Sequence, residues 1–260
     1  MAELATAPAP AREPVVERLQ RLRRLAIVPA LNEEANIGGV IDELRAFDPG
    51  LEVVVIDDAS ADATAAVADA RGAHVVRLPF NLGIGGAVQT GYRYAFEHDF
   101  DVAVQVDGDG QHDPSQLPVI LGPLLDGEAD MVVGSRFAGD GDAYRPPLAR
   151  RLGIGMFARV VSLLVRQRVT DTTSGFQACN RRAIRLFAAD YPHDYPEVEA
   201  TVMLVKHKLR LKEVPVTMRV RGGGRSSITG PRSIYYMAKV LLAIFVGLFR
   251  RSAVPIEEVR

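Results

Sequence analysis

The stretch VAVQVDGDGQHD, residues 102–113, is the most informative part of this 260-residue chain. An apolar run typical of a buried strand ends here in two carboxylates and an amide, Asp107, Asp109 and Gln111, at every second position. Such oxygen ligands suit a hard cation such as Mg²⁺ or Mn²⁺, which usually keeps coordination positions open for substrate phosphates. The stretch therefore predicts a strand end that binds a metal and a phosphate compound, and a plain Asp-Gly turn is the alternative.

The composition is that of a globular protein with a large core. Hydrophobic residues make up 48% of the chain, and its length suits one sizeable domain. The single Cys179 excludes an internal disulfide and indicates a reducing compartment. Although the net charge is −1, residues 1–135 carry −13 and residues 136–260 carry +12. This asymmetry predicts an acidic metal-binding half facing a basic half that meets phosphates or anionic lipid.

Apolar strands and amphipathic helices alternate from Leu25 onward, which predicts an α/β fold with a doubly wound, mostly parallel sheet. Asn32 is predicted to start the first helix, Gly72 to end the second, and Asp113-Pro114 to open the last. Strands are predicted near residues 25–29, 51–57, 73–78, 101–107 and 129–135. Helices are predicted near residues 33–47, 62–71, 84–97 and 114–126.

Two terminal segments flank this pattern. Residues 1–24 are predicted to form a disordered Ala/Pro-rich tail with a short basic lead-in helix, because they lack an apolar core. Residues 231–260 are predicted to contain a C-terminal amphipathic helix. The main domain is therefore expected over residues 25–230.

Polar clusters fall at the ends of three predicted strands. They are PALNEE (residues 29–34), DDAS (57–60) and DGDGQ (107–111). In doubly wound sheets, ligands bind beyond the carboxyl ends of the strands. Three converging clusters are hard to attribute to helix capping alone, so this edge of the sheet is the expected ligand site.

In these residues the chain resembles a known family. The ordered motifs VPALNEE, VVVIDDAS, NLGIGGAVQTG, VDGDGQHDP and GSRF are similar to those of family 2 glycosyltransferases, especially the polyprenyl-phosphate (dolichol-phosphate) sugar synthases. The resemblance covers residues 25 to about 235. It implies a catalytic domain with the Rossmann-like glycosyltransferase A fold. It also implies metal-dependent, inverting transfer from a nucleoside-diphosphate sugar to a polyprenyl phosphate.

The resemblance also assigns residues to the donor and the metal. Asp107, Asp109 and Gln111 match the family's Asp-x-Asp-x-Gln motif, which holds Mg²⁺ or Mn²⁺ on the diphosphate. For Gly86, packing at the start of a helix is an equally good explanation. The implied donor-binding residues in the first half are Pro29, Leu31, Asn32, Glu34, Asp57, Asp58, Asn81, Gly86, Asp107 and Gly108.

The second half of the chain supplies arginines. Arg136 follows the fifth predicted strand, and Arg221 and Arg225 lie in the glycine-rich stretch RVRGGGRSS. Guanidinium forks match phosphate oxygens, and the resemblance favours a phosphate contact for Arg221 and a donor contact for Arg225. By resemblance Asp171, Ser174 and Gly175 shape the sugar and acceptor end. The expected catalytic residues are Asp109, Arg136, Asp171 and Arg221.

Two acceptor classes stay open at this point. A lipid phosphate is already anionic at neutral pH, whereas a sugar hydroxyl would need a general base, for which Asp171, Glu197 and Glu199 are the candidates. A non-catalytic membrane-associated partner is an alternative of another class. A dinucleotide oxidoreductase is disfavoured because Val88 occupies the third glycine position after Gly83 and Gly85.

The expected partners are a UDP- or GDP-linked sugar, polyprenyl phosphate and an anionic membrane surface, with no nucleic acid. The apolar stretch 233–249 is broken by Lys239 and is too short for a span of about 20 residues, so it is predicted to lie at the interface. Residues 153–169 are a second such candidate, with core burial or contact in a homo-oligomer as the alternative. The predicted location is cytoplasmic, peripheral on the inner face of the membrane.

Overall fold

The computed structural model describes residues 15–138, 148–193, 195–219 and Lys239. Its strands are β1 (Arg24–Ala30), β2 (Leu51–Asp57), β3 (His74–Arg77), β4 (Val102–Gln105), β5 (Met131–Ser135), β6 (Gln177–Asn180) and β7 (Leu211–Pro215). Its helices are α1 (Val15–Leu19), α2 (Ile37–Phe47), α3 (Thr64–Ala70), α4 (Gly83–Glu97), α5 (Leu117–Leu125), α6 (Leu148–Val165), α7 (Arg181–Ala189) and α8 (Pro196–Lys206).

The strands form one sheet in the order β3-β2-β1-β4-β6-β5-β7. Strands β1 to β4 pair in parallel with one another, and β5 pairs in parallel with β7. Strand β6 runs antiparallel between β4 and β5. The predicted α/β class with a mostly parallel sheet is confirmed, and β6 and β7 are additions that the sequence pattern did not predict.

Strand β1 lies in the interior of the sheet, between β2 and β4, and is buried along its whole length. Leu25 and Ile27 belong to the core on one face, while Ala26 and Val28 belong to the core on the other. A strand covered by helices on both faces needs apolar residues at every position, which explains the continuous run. At its start the buried Arg24 is paired through Nε and Nη2 with the carboxylate of Asp48, at 3.0 and 2.9 Å.

The first helix begins later than predicted. Helix α2 starts at Ile37 with Asn36 at the cap position, so the prediction that Asn32 starts it is wrong. Asn32 instead adopts a left-handed conformation with φ of 55°. Asparagine tolerates this region better than most residues, and here it turns the chain beyond β1. Asp113-Pro114 does open a helical segment, since the Asp113 carboxylate accepts the Ser115 N–H at 2.9 Å.

The lead-in segment is attached to the main domain. Leu19 in α1 is buried, and Arg18 donates to the Asp126 carboxylate at the end of α5 at 2.6 Å. The predicted tail before Val15, the loop with Arg221 and Arg225, and the C-terminal helix other than Lys239 lie outside the described residues. In the part of the chain that is described, no helix has the length and apolar character needed to cross a bilayer.

Candidate functional site

The strand order brings the three polar clusters to one edge of the sheet. Strand β1 lies between β2 and β4, so the segments that follow these three strands are neighbours. Asp58 N donates to Ala30 O at 2.9 Å, and Asn32 N donates to Ser60 Oγ at 2.9 Å. On the other side of β1, Val106 N donates to Ile27 O at 2.9 Å, which joins the segment after β4 to β1. The edge is the one expected from the sequence.

Asn32 and Glu34 join the first cluster to the second. The Asn32 side-chain oxygen accepts the Ala61 N–H at 2.8 Å, and Glu34 Oε2 accepts the Ala63 N–H at 2.9 Å. Both residues are exposed, as is Leu31, so a ligand can reach them. Their predicted contacts with the donor remain predictions, and their observed role is to fix the two loops relative to each other.

Asp57 offers a hydrogen-bond acceptor at the end of β2. It is fully buried, and its Oδ1 accepts the Ser60 N–H at 3.0 Å. Its Oδ2 has no hydrogen-bond partner among the described residues, although Arg77 Nε lies 3.4 Å away with a side chain that is 69% exposed. A buried acceptor without a partner is costly unless a ligand satisfies it. Asp57 and Arg77 together therefore suit a nucleobase, and the sequence analysis missed Arg77.

Asp58 holds the glycine-rich turn in place. Its Oδ1 accepts the Leu82 N–H at 2.7 Å and its Oδ2 accepts the Gly83 N–H at 3.0 Å. The Asn81 side-chain oxygen also accepts this Gly83 N–H, at 2.9 Å. A Cβ at Gly86 would lie 2.5 Å from the Leu82 Cβ, so packing inside α4 accounts for that glycine. The predicted contacts of Asp58, Asn81 and Gly86 with the donor remain predictions.

The predicted metal ligands follow β4. Asp107 has a side chain that is 34% exposed, whereas Asp109 is only 7% exposed and accepts the Gln111 N–H at 3.0 Å. Among the residues that can be described, no group of three His, Cys, Asp or Glu side chains forms a metal centre. Two carboxylates and an amide fit a cation that takes its remaining ligands from water or substrate phosphates, as Mg²⁺ usually does.

His112 is a site residue that the sequence analysis did not assign. Its Nδ1 accepts the Asp107 N–H at 3.0 Å, and its Nε2 lies 3.6 Å from Asp107 Oδ2. Burial lowers the pKa of His112, against the raising effect of the nearby Asp107 and Asp109 charges. The ring is therefore neutral, with its proton on Nε2. Its place inside the DGDGQH stretch was the available signal.

Arg136 is bound by Asp171. Arg136 Nε and Nη2 donate to the two oxygens of Asp171 at 2.8 and 2.9 Å, and the Arg136 N–H adds a bond at 3.1 Å. The Asp171 side chain is 0% exposed and also accepts the Thr173 N–H at 3.2 Å. A buried carboxylate engaged in this way suits positioning better than proton removal. The predicted catalytic roles of both residues remain predictions.

Glu213 in β7 fixes the segment that carries Asp171. Its carboxylate accepts the Thr170 N–H at 2.8 Å and the Asp171 N–H at 2.9 Å. The sequence analysis missed Glu213 because β7 itself was not predicted. The Arg136–Asp171 pair is therefore positioned by the segment directly after β5, by β7 and by the segment before β6.

Glu197 lies in the first turn of α8 and is partly buried. Burial raises its pKa to about 7, and the negative charges of Asp107 and Asp171 add to this while Arg136 opposes it. Glu197 is thus electrostatically linked to both the metal loop and the Arg136–Asp171 pair. A carboxyl group with its proton equilibrium near neutral pH could act as a general base at that pH.

Comparison with known proteins identifies similar chains. Residues 25–189 match the family described as glycosyl transferase family 2. The chain is 33% identical to the undecaprenyl-phosphate mannosyltransferase of Micrococcus luteus, over 80% of this chain and 88% of that protein. It is 29% identical to the polyprenol monophosphomannose synthase of Mycolicibacterium smegmatis, over 84% and 85%.

A solved structure shows the same fold. Glucosyl-3-phosphoglycerate synthase of Mycobacterium tuberculosis, crystallised with Mn²⁺, UDP-glucose and phosphoglyceric acid, superposes with a TM-score of 0.69 at 23% identity. The match covers 92% of this chain and 84% of that one. At this identity the likeness establishes the architecture, which agrees with the predicted glycosyltransferase A fold.

Proposed function

The chain belongs to glycosyl transferase family 2, and from that premise we propose that it transfers a sugar from a nucleoside-diphosphate sugar to the phosphate of a polyprenyl phosphate. The relatives named for undecaprenyl-phosphate and polyprenol mannose transfer support this acceptor class. A relative from Methanococcus voltae, 28% identical, is named for N-acetylglucosamine transfer to dolichyl phosphate. It supports the same acceptor class, although its sugar is different. Sugar and base stay open between UDP- and GDP-linked donors.

The observation that carries the proposal is the convergence of three kinds of group at one edge of the sheet. Asp57 presents for a base a buried oxygen, Oδ2, that has no hydrogen-bond partner among the described residues, and Asp107 and Asp109 present carboxylates for a cation. Arg136, held by Asp171, adds a guanidinium whose charge, like those of Asp107 and Asp109, acts on His112. A base, a metal-bound diphosphate and an anionic acceptor each have suitable groups here.

These residues would divide the work of an inverting displacement. Asp107, Asp109 and Gln111 would hold Mg²⁺ or Mn²⁺, which supplies a Lewis acid for the leaving diphosphate. Arg136 would stabilise negative charge through a fork that Asp171 keeps oriented. Attack by an acceptor phosphate oxygen on the anomeric carbon would break its bond to the diphosphate. Arg221 and Arg225 stay candidates for closing over the donor.

A phosphate acceptor predicts that Glu197 is dispensable as a base. We expect Glu197→Gln to keep turnover with polyprenyl phosphate within about tenfold, whereas removal of a general base costs about 10²- to 10⁴-fold. As the pH is lowered, kcat/KM should fall only near the second pKa of the acceptor phosphate, which is about 6. The measurement is kcat/KM against pH for the wild type, Glu197→Gln and Glu199→Gln.

The same profile distinguishes the hydroxyl-directed alternative. A carboxylate base is active only when deprotonated, so with Glu197 as base the rate would decline tenfold per pH unit below about 7. That decline, together with near-complete loss in Glu197→Gln, would favour a sugar hydroxyl acceptor over a lipid phosphate.

A membrane-bound acceptor also requires a surface that meets the bilayer. Helix α6 buries Phe157, Val161 and Val165, whereas Leu163 on its other face is 80% exposed. Arg166 and other basic residues beside it are exposed as well. Apolar and basic side chains on one exposed face suit an anionic interface. The peripheral, cytoplasmic location on the inner face remains part of this proposal.

We expect the protein to bind anionic vesicles with an affinity that falls, but does not vanish, as salt rises. Basic residues contribute about 1 kcal/mol each near the surface and are screened, while apolar insertion is not. Deletion of residues 233–260 should remove most of this binding and leave only the contribution of α6. Sedimentation with anionic and zwitterionic vesicles measures this, and indifference to anionic vesicles at low salt would remove the membrane from the proposal.

The donor side is tested by a panel of UDP- and GDP-linked sugars with polyprenyl phosphate and Mg²⁺ or Mn²⁺. One or a few donors should yield a labelled, organic-soluble product, and chelation with EDTA should stop its formation. Absence of product with every donor, in protein that is folded and bound to vesicles, would favour the non-catalytic alternative.

A further inference from the structure

We infer that His112 is a positioning residue for Asp107, holding the loop after β4 in the shape that presents this carboxylate to a cation. The inference rests on the proposed metal role of Asp107. It adds a residue that touches neither donor nor acceptor and acts only through its neighbour.

His112 is firmly anchored in the core. It is 5% exposed, and its ring stacks on Phe176 with centroids 4.5 Å apart and planes inclined by 11°. Phe176 is fully buried, and its carbonyl accepts the Gly134 N–H at 2.8 Å. The His112 backbone also forms a bridge to Met218, beyond β7. The imidazole is therefore held by parts of the fold far from it in sequence.

Two contacts of the His112 ring position Asp107. The Nδ1 atom accepts the Asp107 N–H at 3.0 Å, which fixes the main chain where the strand gives way to the metal loop. With Nδ1 as acceptor the proton is on Nε2, which faces Asp107 Oδ2 at 3.6 Å. That distance is longer than a hydrogen bond, so the main-chain bond is the stronger constraint.

Gly175 lies close to the Asp107 carboxylate as well. A Cβ at this position would lie 3.1 Å from Asp107 Oδ1 and 2.9 Å from Gln105 Nε2. Gly175 directly precedes Phe176. One short segment therefore approaches the Asp107 carboxylate and also supports the His112 ring, which accepts the Asp107 main-chain N–H. Asp107 thus has both His112 and Gly175 beside it, and neighbouring residues of this kind commonly orient metal ligands.

Two substitutions separate positioning from packing. His112→Phe keeps an aromatic ring that can stack on Phe176 but loses the Nδ1 acceptor. His112→Asn loses the ring but keeps an acceptor, because its side-chain oxygen can take the place of Nδ1. We would measure Mn²⁺ affinity from the EPR signal of free Mn²⁺, with UDP or GDP present, and thermal stability in parallel. Asp107→Asn serves as the reference for loss of a ligand.

Positioning predicts Mn²⁺ binding about tenfold or more weaker in His112→Phe and within about threefold of wild type in His112→Asn, even if the latter melts earlier. Wild-type Mn²⁺ affinity in His112→Phe would overturn this inference and leave the proposed metal role standing. A loss of Mn²⁺ affinity in both variants, in proportion to their loss of thermal stability, would do the same. A wild-type protein that binds no Mn²⁺ with either nucleotide would overturn the proposed metal role, and this inference with it.

Discussion

Asp109→Ala is expected to lose about a thousandfold or more in kcat/KM, because a metal contributes several kcal/mol of transition-state stabilisation and each 1.36 kcal/mol is tenfold in rate. Of the described residues, Asp107 and Asp109 are the two carboxylates predicted to bind the cation, so removing one leaves a poor cation site. Asp109 is 7% exposed. Initial rates over a series of Mg²⁺ and Mn²⁺ concentrations give the effect.

Asp101→Ala is the matched control. Asp101 directly precedes the same strand, β4, at its opposite end, and its carboxylate accepts the Arg23 N–H at 3.0 Å. This variant should keep wild-type turnover. If Asp109→Ala, after EDTA treatment and resupply of Mg²⁺, matched the wild type as well, the metal assignment would be wrong.

Arg136→Met is expected to lower the free energy of unfolding by about 3 kcal/mol, and to reduce turnover. Removing one partner of a buried ion pair leaves an uncompensated charge, which costs about 3–5 kcal/mol, and the 26% exposure of Arg136 favours the lower end. The Asp171 side chain is 0% exposed and could not be rehydrated without opening the site. Denaturant unfolding measures the change.

Two further variants make the test specific. Arg181→Met breaks a surface pair with Asp99, whose side chains are 55% and 72% exposed, and should cost about 1 kcal/mol or less. Combining Arg136→Met with Asp171→Asn should recover part of the lost stability without recovering turnover. An Arg136→Met protein as stable as the wild type would show that the pair is not a buried one.

The first half of the fold could be predicted because β1, β2 and β4 are buried, mostly apolar strands that are followed by polar clusters. Strand β1 is buried on both faces, and its sequence shows this directly. Strand β6 is only four residues long, and its place between β4 and β5 depends on pairings with distant segments. Strand β7 has Lys212 and Glu213 in its middle, which an edge strand tolerates, so its pattern is weak.

The residues of the site likewise divide into those that could be predicted from the sequence and those that could not. Asp107, Asp109 and Gln111 are local in sequence, so their spacing was informative on its own. The Arg136–Asp171 pair joins residues 35 positions apart, and the link from Phe176 through His112 to Asp107 depends on stacking that no spacing encodes. Asn32 was misplaced because its polar side chain suited a cap, while the chain needed it for a left-handed turn.

The acceptor is the centre of this account, and one reaction tests it directly. The purified protein, with its sugar nucleotide and Mg²⁺ or Mn²⁺, would be given polyprenyl phosphate and a glycolipid with free sugar hydroxyls at equal concentration, and the products identified by mass spectrometry. We predict a hexosyl phosphate joined to the polyprenol, with the glycolipid unchanged. A glycolipid extended by one sugar, with the polyprenyl phosphate untouched, would contradict the account.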